Sequence, residues 1–339
     1  MVGIGGCLEP KSRSNPTAIG VICGIVASVF WAAGFAGVRH GLNVGFSPAD
    51  IAVHRYLWSG LALLPVVVRA RVGDLNGIGW GRGILLTLLG GPVFAIIGYA
   101  GFLFVPLGHG GVIQPSCGAL GGLLLATLVL REELIASRLI GALIIIGGLV
   151  VIGGEGAVTF GEQGVAGDLL FVLAGFMSAG FSTLLRLWRI APMPAAAAIG
   201  VLSLFGMPVY WLHYGLAHMI SLGWRENLFQ AVLQGVLAGP AALYLFVNSI
   251  ALIGAGRAAI FFLLVPPFVL LIGWLALGEM PSFLQLTGLI IPFISITFPT
   301  LVECHCETCP DRTKDNGSYI WVRNFRGRFV QTVTLNISA

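Results

Sequence analysis

Residues 98–153 read GYAGFLFVPLGHGGVIQPSCGALGGLLLATLVLREELIASRLIGALIIIGGLVVIG, and residues 243–293 read LYLFVNSIALIGAGRAAIFFLLVPPFVLLIGWLALGEMPSFLQLTGLIIPF. Both stretches are apolar and rich in glycine, and each carries an acidic residue after its long apolar run, Glu132 in the first and Glu279 in the second. A shift of 147 residues superimposes these two acids. The same shift aligns Gly20 with Gly167, Arg39 with Arg186, Ile113 with Ile260, and Gly141 with Gly288. The chain therefore contains two copies of one apolar unit.

The composition places both copies in a membrane. Hydrophobic residues make up 57% of the 339 residues, charged residues make up only 9%, and the mean hydropathy is +0.95. A soluble globular surface cannot be built from so few charges. The apolar runs reach the roughly 20 residues that a helix needs to cross the hydrocarbon core. They lack the short alternation that is typical of an outer-membrane barrel.

Apolar windows of that length predict an all-α integral membrane protein with ten transmembrane helices. The predicted spans are 18–39, 49–68, 84–105, 110–130, 138–154, 167–187, 194–214, 229–252, 257–277 and 283–301. Five spans fall in each copy, and because five is odd the sequence predicts two inverted five-helix repeats, the pattern of many secondary transporters. The predicted organisation is an N-terminal segment 1–17, a first repeat 18–154, an external linker loop 155–166, a second repeat 167–301 and a tail 302–339.

The basic residues predict the orientation, because cytoplasmic loops carry the excess of Lys and Arg. With the N-terminus inside, ten basic residues fall on the cytoplasmic side and two, Arg39 and Arg225, fall outside. The ten are Lys11, Arg13, Arg69, Arg71, Arg82, Arg131, Arg138, Arg186, Arg189 and Arg257. We therefore expect a multi-pass protein of the inner (plasma) membrane with both termini in the cytoplasm. The net charge of +4 reflects mostly this bias, so no nucleic-acid partner is expected.

The two quoted stretches resemble the drug/metabolite transporter superfamily, in its ten-helix form with two EamA-type halves. The likeness covers roughly residues 18–300. It rests on a glycine-rich segment that precedes a long fourth helix, an acidic residue at the end of that helix, and a fifth helix that contains glycines. The second copy carries the family's proline at Pro266 or Pro267 and its Leu-Gly-Glu at 277–279. In the first copy, Arg55 in the second span matches an arginine that members of the family often carry there. The resemblance implies a carrier that works by alternating access and exports an amino acid or a similar small metabolite.

Arg55 and its neighbour His54 lie about two turns inside the second span. A charged side chain at that depth is costly and usually faces a cavity or a partner. Two interpretations stay open. The guanidinium can anchor a substrate carboxylate, or it can pair with Asp50, bind helix carbonyls or reach the outer headgroups. The helical spacing favours a contact between Asp50 and His54.

Glu132 and Glu279 close the fourth and ninth spans. We interpret them first as structural groups that cap the next short helix at the membrane interface. A gate at each end of the transport path is the alternative.

Pairs of Gly and Pro predict breaks inside the spans. Gly91–Pro92 corresponds to Gly239–Pro240 at a spacing of 148, and Pro266 and Pro267 interrupt the ninth span. A proline inside a span frees a carbonyl that needs another partner, usually beside a cavity. The first two breaks are therefore candidate borders of the substrate path, although close packing of helices explains most of the other glycines.

Five further groups within the spans are candidate cavity walls: Trp31, Tyr99, Gln114, Tyr244 and Asn248. For each, a hydrogen bond between helices is the alternative. No Asp or Glu lies in the middle of a predicted span, which argues against a multidrug-cation mechanism and favours a neutral, zwitterionic or anionic solute. If transport is coupled to protons, His54 and His109 are the groups that titrate near neutral pH.

No cofactor is expected, and the tail is expected to have little structure. Cys304, His305, Cys306 and Cys309 are spaced too closely for a structural zinc site, so no metal is predicted. The expected partners are a small-molecule substrate and the lipid bilayer, and a homodimer stays open. The predicted function is a secondary transporter and not an enzyme. A membrane-embedded enzyme and a channel are the alternatives, although neither a Gly-x-Ser-x-Gly nor a His-Glu-x-x-His motif occurs.

Overall fold

The structure of the protein is a computed structural model. The residues it describes are 16–70, 74–75, 77–132, 136–214, 216–286, 318–323 and 329–334. Contacts divide the chain into two units, Met1–Pro299 and Thr300–Ala339. The described part of the first unit is all-helical, which confirms the predicted fold class.

The first repeat begins with α1 (Pro16–Val44) and α2 (Pro48–Ala70), followed by α3 (Trp80–Gly90), α4 (Pro92–Gly101) and α5 (Leu107–Leu128). A long helix, α6 (Ala136–Trp188), connects the two repeats. The second repeat continues with α7 (Pro192–Leu204), α8 (Met207–Tyr214), α9 (Ala217–Ser221), α10 (Trp224–Gln230), a π-helical segment π1 (Ala231–Ala241), α11 (Ala242–Ile253), α12 (Ala255–Leu263) and α13 (Val265–Leu277).

Eight helical stretches of the described chain are long and apolar enough to cross a membrane, by length and composition. One of them, Leu139–Trp188, has 50 residues, more than twice the roughly 20 that one crossing needs. It breaks at Gly161, where φ is 62° and ψ is −145°. This stretch therefore supplies the fifth and sixth spans, and nine of the ten predicted spans are present. The tenth, 283–301, lies almost entirely outside the described residues.

The segment 155–166 is helical on both sides of Gly161, so the predicted linker loop is not a loop. The two helices extend past their apolar runs and meet at one residue. Glycine supplies the positive φ that this sharp change of direction requires, because it lacks a Cβ. That the segment lies outside the cell stays a prediction.

Four spans are interrupted near the middle. The third changes from α3 to α4 at Gly91, which is extended with φ −102° and ψ −151°. The seventh changes from α7 to α8 at Gly206, two residues before Pro208. The eighth contains Gly239, with φ −88° and ψ −110°, within π1. The ninth changes from α12 to α13 at Leu264, two residues before Pro266. Proline cannot donate a helical hydrogen bond, which explains why each break lies beside one.

The helix contacts of the two repeats mirror each other. Helix α1 packs on α11 and α13 of the second repeat, and α6 packs correspondingly on α4 and α5 of the first, while α2 packs on α7. Exchanging the repeats maps the two contacts of α1 onto those of α6 and maps the α2–α7 contact onto itself. Helices α2 and α7 come very close, since a Cβ built on Gly60 would lie 2.5 Å from the carbonyl oxygen of Gly200. The inversion of the repeats relative to the bilayer stays a prediction.

The second unit contains an antiparallel pair of strands, β1 (Ser318–Arg323) and β2 (Phe329–Thr334). Ser318 lies opposite Thr334, and Arg323 lies opposite Phe329. This part of the tail is therefore structured, contrary to the expectation. The cluster at 304–309 lies outside the described residues.

Candidate functional site

A cavity of about 550 Å³ lies between the two repeats. The first, third, sixth and eighth spans contribute to its wall, and the second, fourth and ninth contribute as well. A volume of this size is usual for small-molecule sites, which range from about 300 to 1,000 Å³. Of the candidates from the sequence, it brings together Arg55, Trp31, Tyr99, Gln114 and Pro266.

Arg55 is the one charged side chain among the described residues of the cavity wall. Its Nη1 lies 3.4 Å from Oε1 of Gln234, to which it donates. Its guanidinium also interacts with the side chains of Tyr56 and Tyr99. Because no carboxylate shares the described wall, the positive charge of Arg55 faces the cavity uncompensated. A planar fork of donors in such a place suits a carboxylate or another anionic group.

Gln234 holds the acceptor that Arg55 uses. Its Nε2 donates to the carbonyl oxygen of Gly34 on α1 over 2.7 Å, which fixes the orientation of the amide. Gln230, one helical turn earlier, donates in the same way to the carbonyl oxygen of Gly37 over 2.8 Å. The two glutamines link the eighth span to the first, but only Gln234 reaches the cavity.

Aromatic rings and small hydroxyl groups form much of the remaining wall. The ring of Trp31 stacks on that of Phe262, with centroids 4.7 Å apart and planes 12° apart. Phe35, Phe94 and Tyr99 add further rings, and Ser116, Ser178 and Ser182 add hydroxyl groups. The cavity thus combines apolar surface with a few polar groups, which is the usual composition of a ligand site.

His54 lies outside the cavity wall. Its Nδ1 accepts a hydrogen bond from Nε1 of Trp58 over 3.2 Å, and its Nε2 lies 3.1 Å from Oδ1 of Asn227. Because the indole can only donate, Nδ1 is the acceptor of that bond. Nε2 therefore carries the hydrogen and donates it in a hydrogen bond to Oδ1 of Asn227. His54 is therefore a buried link between α2 and α10.

Asp50 acts on His54 through its charge, but the hydrogen bonds of its carboxylate go to other groups. The carboxylate of Asp50 accepts from the backbone N–H of Ser47 over 2.8 Å and from the hydroxyl of Tyr210, and Ser47 Oγ accepts from the N–H of Asp50 over 3.1 Å. This reciprocal capping box satisfies free backbone donors at the start of α2. The free backbone groups at the start of α2, and not the imidazole of His54 one turn later, determine the hydrogen-bond partners of Asp50.

Tyr244 and Asn248 are not in the cavity wall either. The side chain of Tyr244 is 58% exposed, and Nδ2 of Asn248 donates to the Tyr244 carbonyl oxygen over 2.8 Å. Helix α11 instead turns Phe246 and Ser249 inward. Most of the predicted helix-break residues also lie outside the wall, namely Gly91, Pro92, Gly239, Pro240 and Pro267.

The sequence analysis missed four polar groups of the wall: Ser116, Ser178, Ser182 and Gln234. Gln234 carried the same signal as Gln114, a lone amide inside an apolar span. The serines carried none, because a small hydroxyl group inside a span is most often bonded to its own helix, as Ser178 is to Gly175.

Two ion pairs join the repeats at separate places, and each is the repeat copy of the other. Arg39 Nε lies 2.7 Å from Glu279 Oε1, and Arg186 pairs with Glu132. The shift of 147 that relates the two arginines also relates the two glutamates. Glu279 Oε2 additionally accepts from the N–H of Leu107 over 2.9 Å, so it caps α5 and not the next helix in sequence.

The two pairs differ in exposure. The side chains of Arg39 and Glu279 are 22% and 24% exposed, whereas those of Arg186 and Glu132 are 56% and 32% exposed. The end of the molecule that holds Arg39 is therefore the more tightly closed one.

The model of the EamA-like transporter family matches the chain twice, over residues 18–154 and 165–301. The chain belongs to the EamA-like transporter family. Each match covers one of the two repeats, and the tail lies outside both. As a member of this family the protein is a multi-pass membrane protein of the transport class, which agrees with the apolar spans.

One curated protein and one solved structure are also similar to this chain. The "Uncharacterized transporter YdfC" of Bacillus subtilis (strain 168) is 24% identical over 289 residues, which cover 80% of this chain and 87% of the relative. A solved crystal structure, 16% identical, superimposes with a TM-score of 0.55 over 86% of this chain and 99% of its own. At that identity the second likeness concerns the fold alone.

Proposed function

We propose that the protein is a secondary carrier that moves a small metabolite with a carboxylate group across the inner membrane by alternating access, in the direction of export. The observation that carries the proposal is the guanidinium of Arg55, which has no carboxylate partner in the described wall of the cavity between the two repeats. An amino acid or a similar zwitterionic or anionic solute has the size and the charge for this site.

The chemistry of the wall supports this substrate class. The guanidinium offers paired donors to a carboxylate, and Trp31 and Phe262 offer a stacked apolar surface to the remainder of the solute. A lipophilic cation would meet a like charge and no carboxylate in the described wall. The cavity therefore disfavours cations and favours carboxylates.

The two repeat-related ion pairs support alternating access. We assign Arg39–Glu279 as the outer gate and Arg186–Glu132 as the inner gate, with the orientation that the distribution of basic residues predicts. Symmetry-related halves that exchange conformations would open one pair and close the other. The different exposure of the two pairs is consistent with a conformation that is closed at the outer end.

A channel or a membrane-embedded enzyme fits the arrangement less well. A cavity between two symmetry-related repeats suits a carrier that rocks about a bound solute, whereas a channel requires a continuous path. A carrier mechanism would also account for the position of Arg55 near interrupted helices, which often form the substrate sites of secondary transporters.

The test is counterflow in proteoliposomes loaded with one unlabelled solute at a time, from a panel of amino acids, carboxylic acids, sugars and amines. We expect saturable, exchangeable uptake of labelled solute only for members that carry a carboxylate. Flux that does not saturate and shows no counterflow would indicate a channel, and exchange of amines without a carboxylate would overturn the proposed substrate class.

A matched pair of variants tests the site itself. Gln234→Glu places a carboxylate 3.4 Å from Arg55, where the amide oxygen now lies, and should compete with a substrate carboxylate. Gln230→Glu loses the same kind of bond to α1 without placing a charge in the cavity. Counterflow should therefore fall strongly in the first variant and much less in the second. Equal losses would show that the bonds to α1, and not the charge of Arg55, matter for transport.

A further inference from the structure

Three titratable side chains meet at the end of the molecule that holds Arg39. His109 lies in the first turn of α5 and is fully buried, and Asp168 and Glu155 lie on α6 on either side of its break, each with a side chain 10% exposed. Nδ1 of His109 lies 2.9 Å from Oδ1 of Asp168. Nε2 of His109 lies 4.0 Å from Oε2 of Glu155.

The protonation of this cluster follows from its geometry. An ionised carboxylate can only accept, so His109 donates from Nδ1 to Asp168 and keeps a lone pair on Nε2. Nε2 and Glu155 Oε2 are both buried without a hydrogen-bond partner in the described structure, as is Oδ2 of Asp168. Two acceptors thus face each other with no proton between them, at a cost in free energy that one added proton would remove.

We propose that His109, Glu155 and Asp168 form a proton-binding site that controls the outer gate, which rests on the proposed carrier function. A proton from water at that end binds to the lone pair of His109 Nε2. The new N–H donates to Oε2 of Glu155, and the charge of the cluster changes from −2 to −1 because two carboxylates remain ionised. The partial exposure of both carboxylates gives the proton its path.

The site joins the two repeats. His109 belongs to the first repeat, Asp168 to the second, and Glu155 to the segment between them. The imidazole is therefore hydrogen-bonded to one arm of α6 and lies 4.0 Å from a carboxylate oxygen of the other. The same turn of α5 bonds to the outer gate, because the N–H of Leu107 donates to Glu279. A proton that draws Glu155 toward His109 therefore acts on the segment that holds the gate.

Among the described residues of the packed helices, the other titratable groups have partners of their own or lie away from this cluster. Helix α1 carries Arg39, which is paired with Glu279, and His40, whose Nε2 lies 3.0 Å from Oε2 of Glu226. Helix α13 has no titratable side chain, and the one on α4, Tyr99, lies in the cavity wall. Glu162, on α6, is exposed.

The cluster exists at one end only. The shift of 147 takes His109 to Gly256, Glu155 to Val302 and Asp168 back to Val21, none of which can bind a proton. The arginine and glutamate of each gate are repeated, but the proton site is not. Proton binding therefore acts on one of the two gates.

The experiment follows the imidazole nitrogens of the full-length protein, labelled with nitrogen-15 histidine in lipid vesicles, by NMR across a pH series without substrate. His109→Gln identifies the resonances of His109. We expect Nε2 to change from its unprotonated to its protonated position as the pH falls, while Nδ1 stays protonated. Glu155→Gln should weaken proton binding at Nε2 by about tenfold or more, since an opposite charge at this distance is lost. The exposed control Glu162→Gln should leave the titration unchanged.

A second arm measures the gate. The native cysteines are first replaced by serine, and spin labels are attached at Val158→Cys and Met280→Cys. These two positions are 89% and 76% exposed in the native chain. The labels report the distance between α6 and the end of the ninth span. That distance should change with pH in the native cluster and not in His109→Gln. An Nε2 that does not titrate, a titration that Glu155→Gln leaves unchanged, or a distance that ignores pH would each overturn the inference. Because neither measurement needs a substrate, these outcomes are independent of the counterflow test.

Discussion

Arg55 shows how one residue sets the chemistry of the cavity. It lies two turns inside α2, and a neutral amide and tyrosine side chains surround it instead of a carboxylate. An unpaired charge in a membrane is expensive, so its retention requires a compensating role. Binding of a substrate carboxylate would supply the missing counter-charge during the transport cycle.

The first prediction tests that role with two replacements. Arg55→Lys keeps the charge but loses the planar fork, and Arg55→Gln loses both. Charged hydrogen bonds contribute about 1.5–3 kcal/mol, so Arg55→Gln should weaken substrate binding by about 10- to 100-fold, with a smaller loss for Arg55→Lys. Concentration-dependent counterflow measures both effects.

The exposed Arg225 provides the control, since Arg225→Gln removes a charge that packs over Trp224 at the surface. It should transport as the native protein does. If both Arg55 variants also retain native affinity while inserting normally, Arg55 has no part in substrate recognition.

At the scale of elements, the crossing of α2 and α7 determines how closely the repeats can approach. Gly60 and Gly200 allow contact between the two backbones, and a Cβ on either would meet main-chain atoms of the other at 2.5–3.0 Å. Small residues at such a crossing let the backbones of membrane helices approach closely. Van der Waals packing then stabilises their association, because helices in lipid gain no hydrophobic free energy by associating.

The second prediction concerns this crossing. Gly60→Ala should destabilise the fold by about 1–3 kcal/mol, because main-chain atoms cannot move aside. Gly122→Ala is the matched control, since nothing lies within 4 Å of its added Cβ, and it should leave stability unchanged or raise it slightly. Thermal unfolding of both variants in detergent, followed by the loss of the monodisperse species, compares them. A Gly60→Ala protein as stable as Gly122→Ala would contradict the close contact.

For the whole molecule, we expect the two gates to have opposite effects on access to the cavity from the two sides of the membrane. The third prediction uses Ser178→Cys in the cavity wall and a thiol reagent that cannot cross the membrane. Arg39→Gln should increase labelling from outside and decrease it from the cytoplasmic face, and Arg186→Gln should do the reverse. The combined exchange Arg39→Glu with Glu279→Arg should restore the native pattern in part, because it re-forms the ion pair but removes the acceptor of the Leu107 N–H. Changes in the same direction for both arginine variants would refute the assignment of two opposed gates.

The fourth prediction concerns orientation. Val158→Cys, beside the break of α6, should react with the same impermeant reagent from outside the cell. Gly81→Cys, at the start of α3 with open space around it, should react only from the cytoplasmic face. Both follow from the ten-to-two distribution of basic residues. The reverse result would invert the topology and exchange the two gates.

The sequence by itself determined the membrane class, the repeat, the family resemblance and the depth of Arg55, because hydropathy, a fixed shift and charge position are properties of the linear chain. It also related Arg39 to Arg186 and Glu132 to Glu279, but a shift shows equivalence and not contact. Only the tertiary structure showed that each arginine pairs with the glutamate of the other repeat, that Gln234 faces Arg55 while Tyr244 and Asn248 face away, and that His109 meets Asp168 and Glu155. The physical reason is that helical periodicity specifies which residues share a face, whereas the packing of one helix on another decides which faces meet.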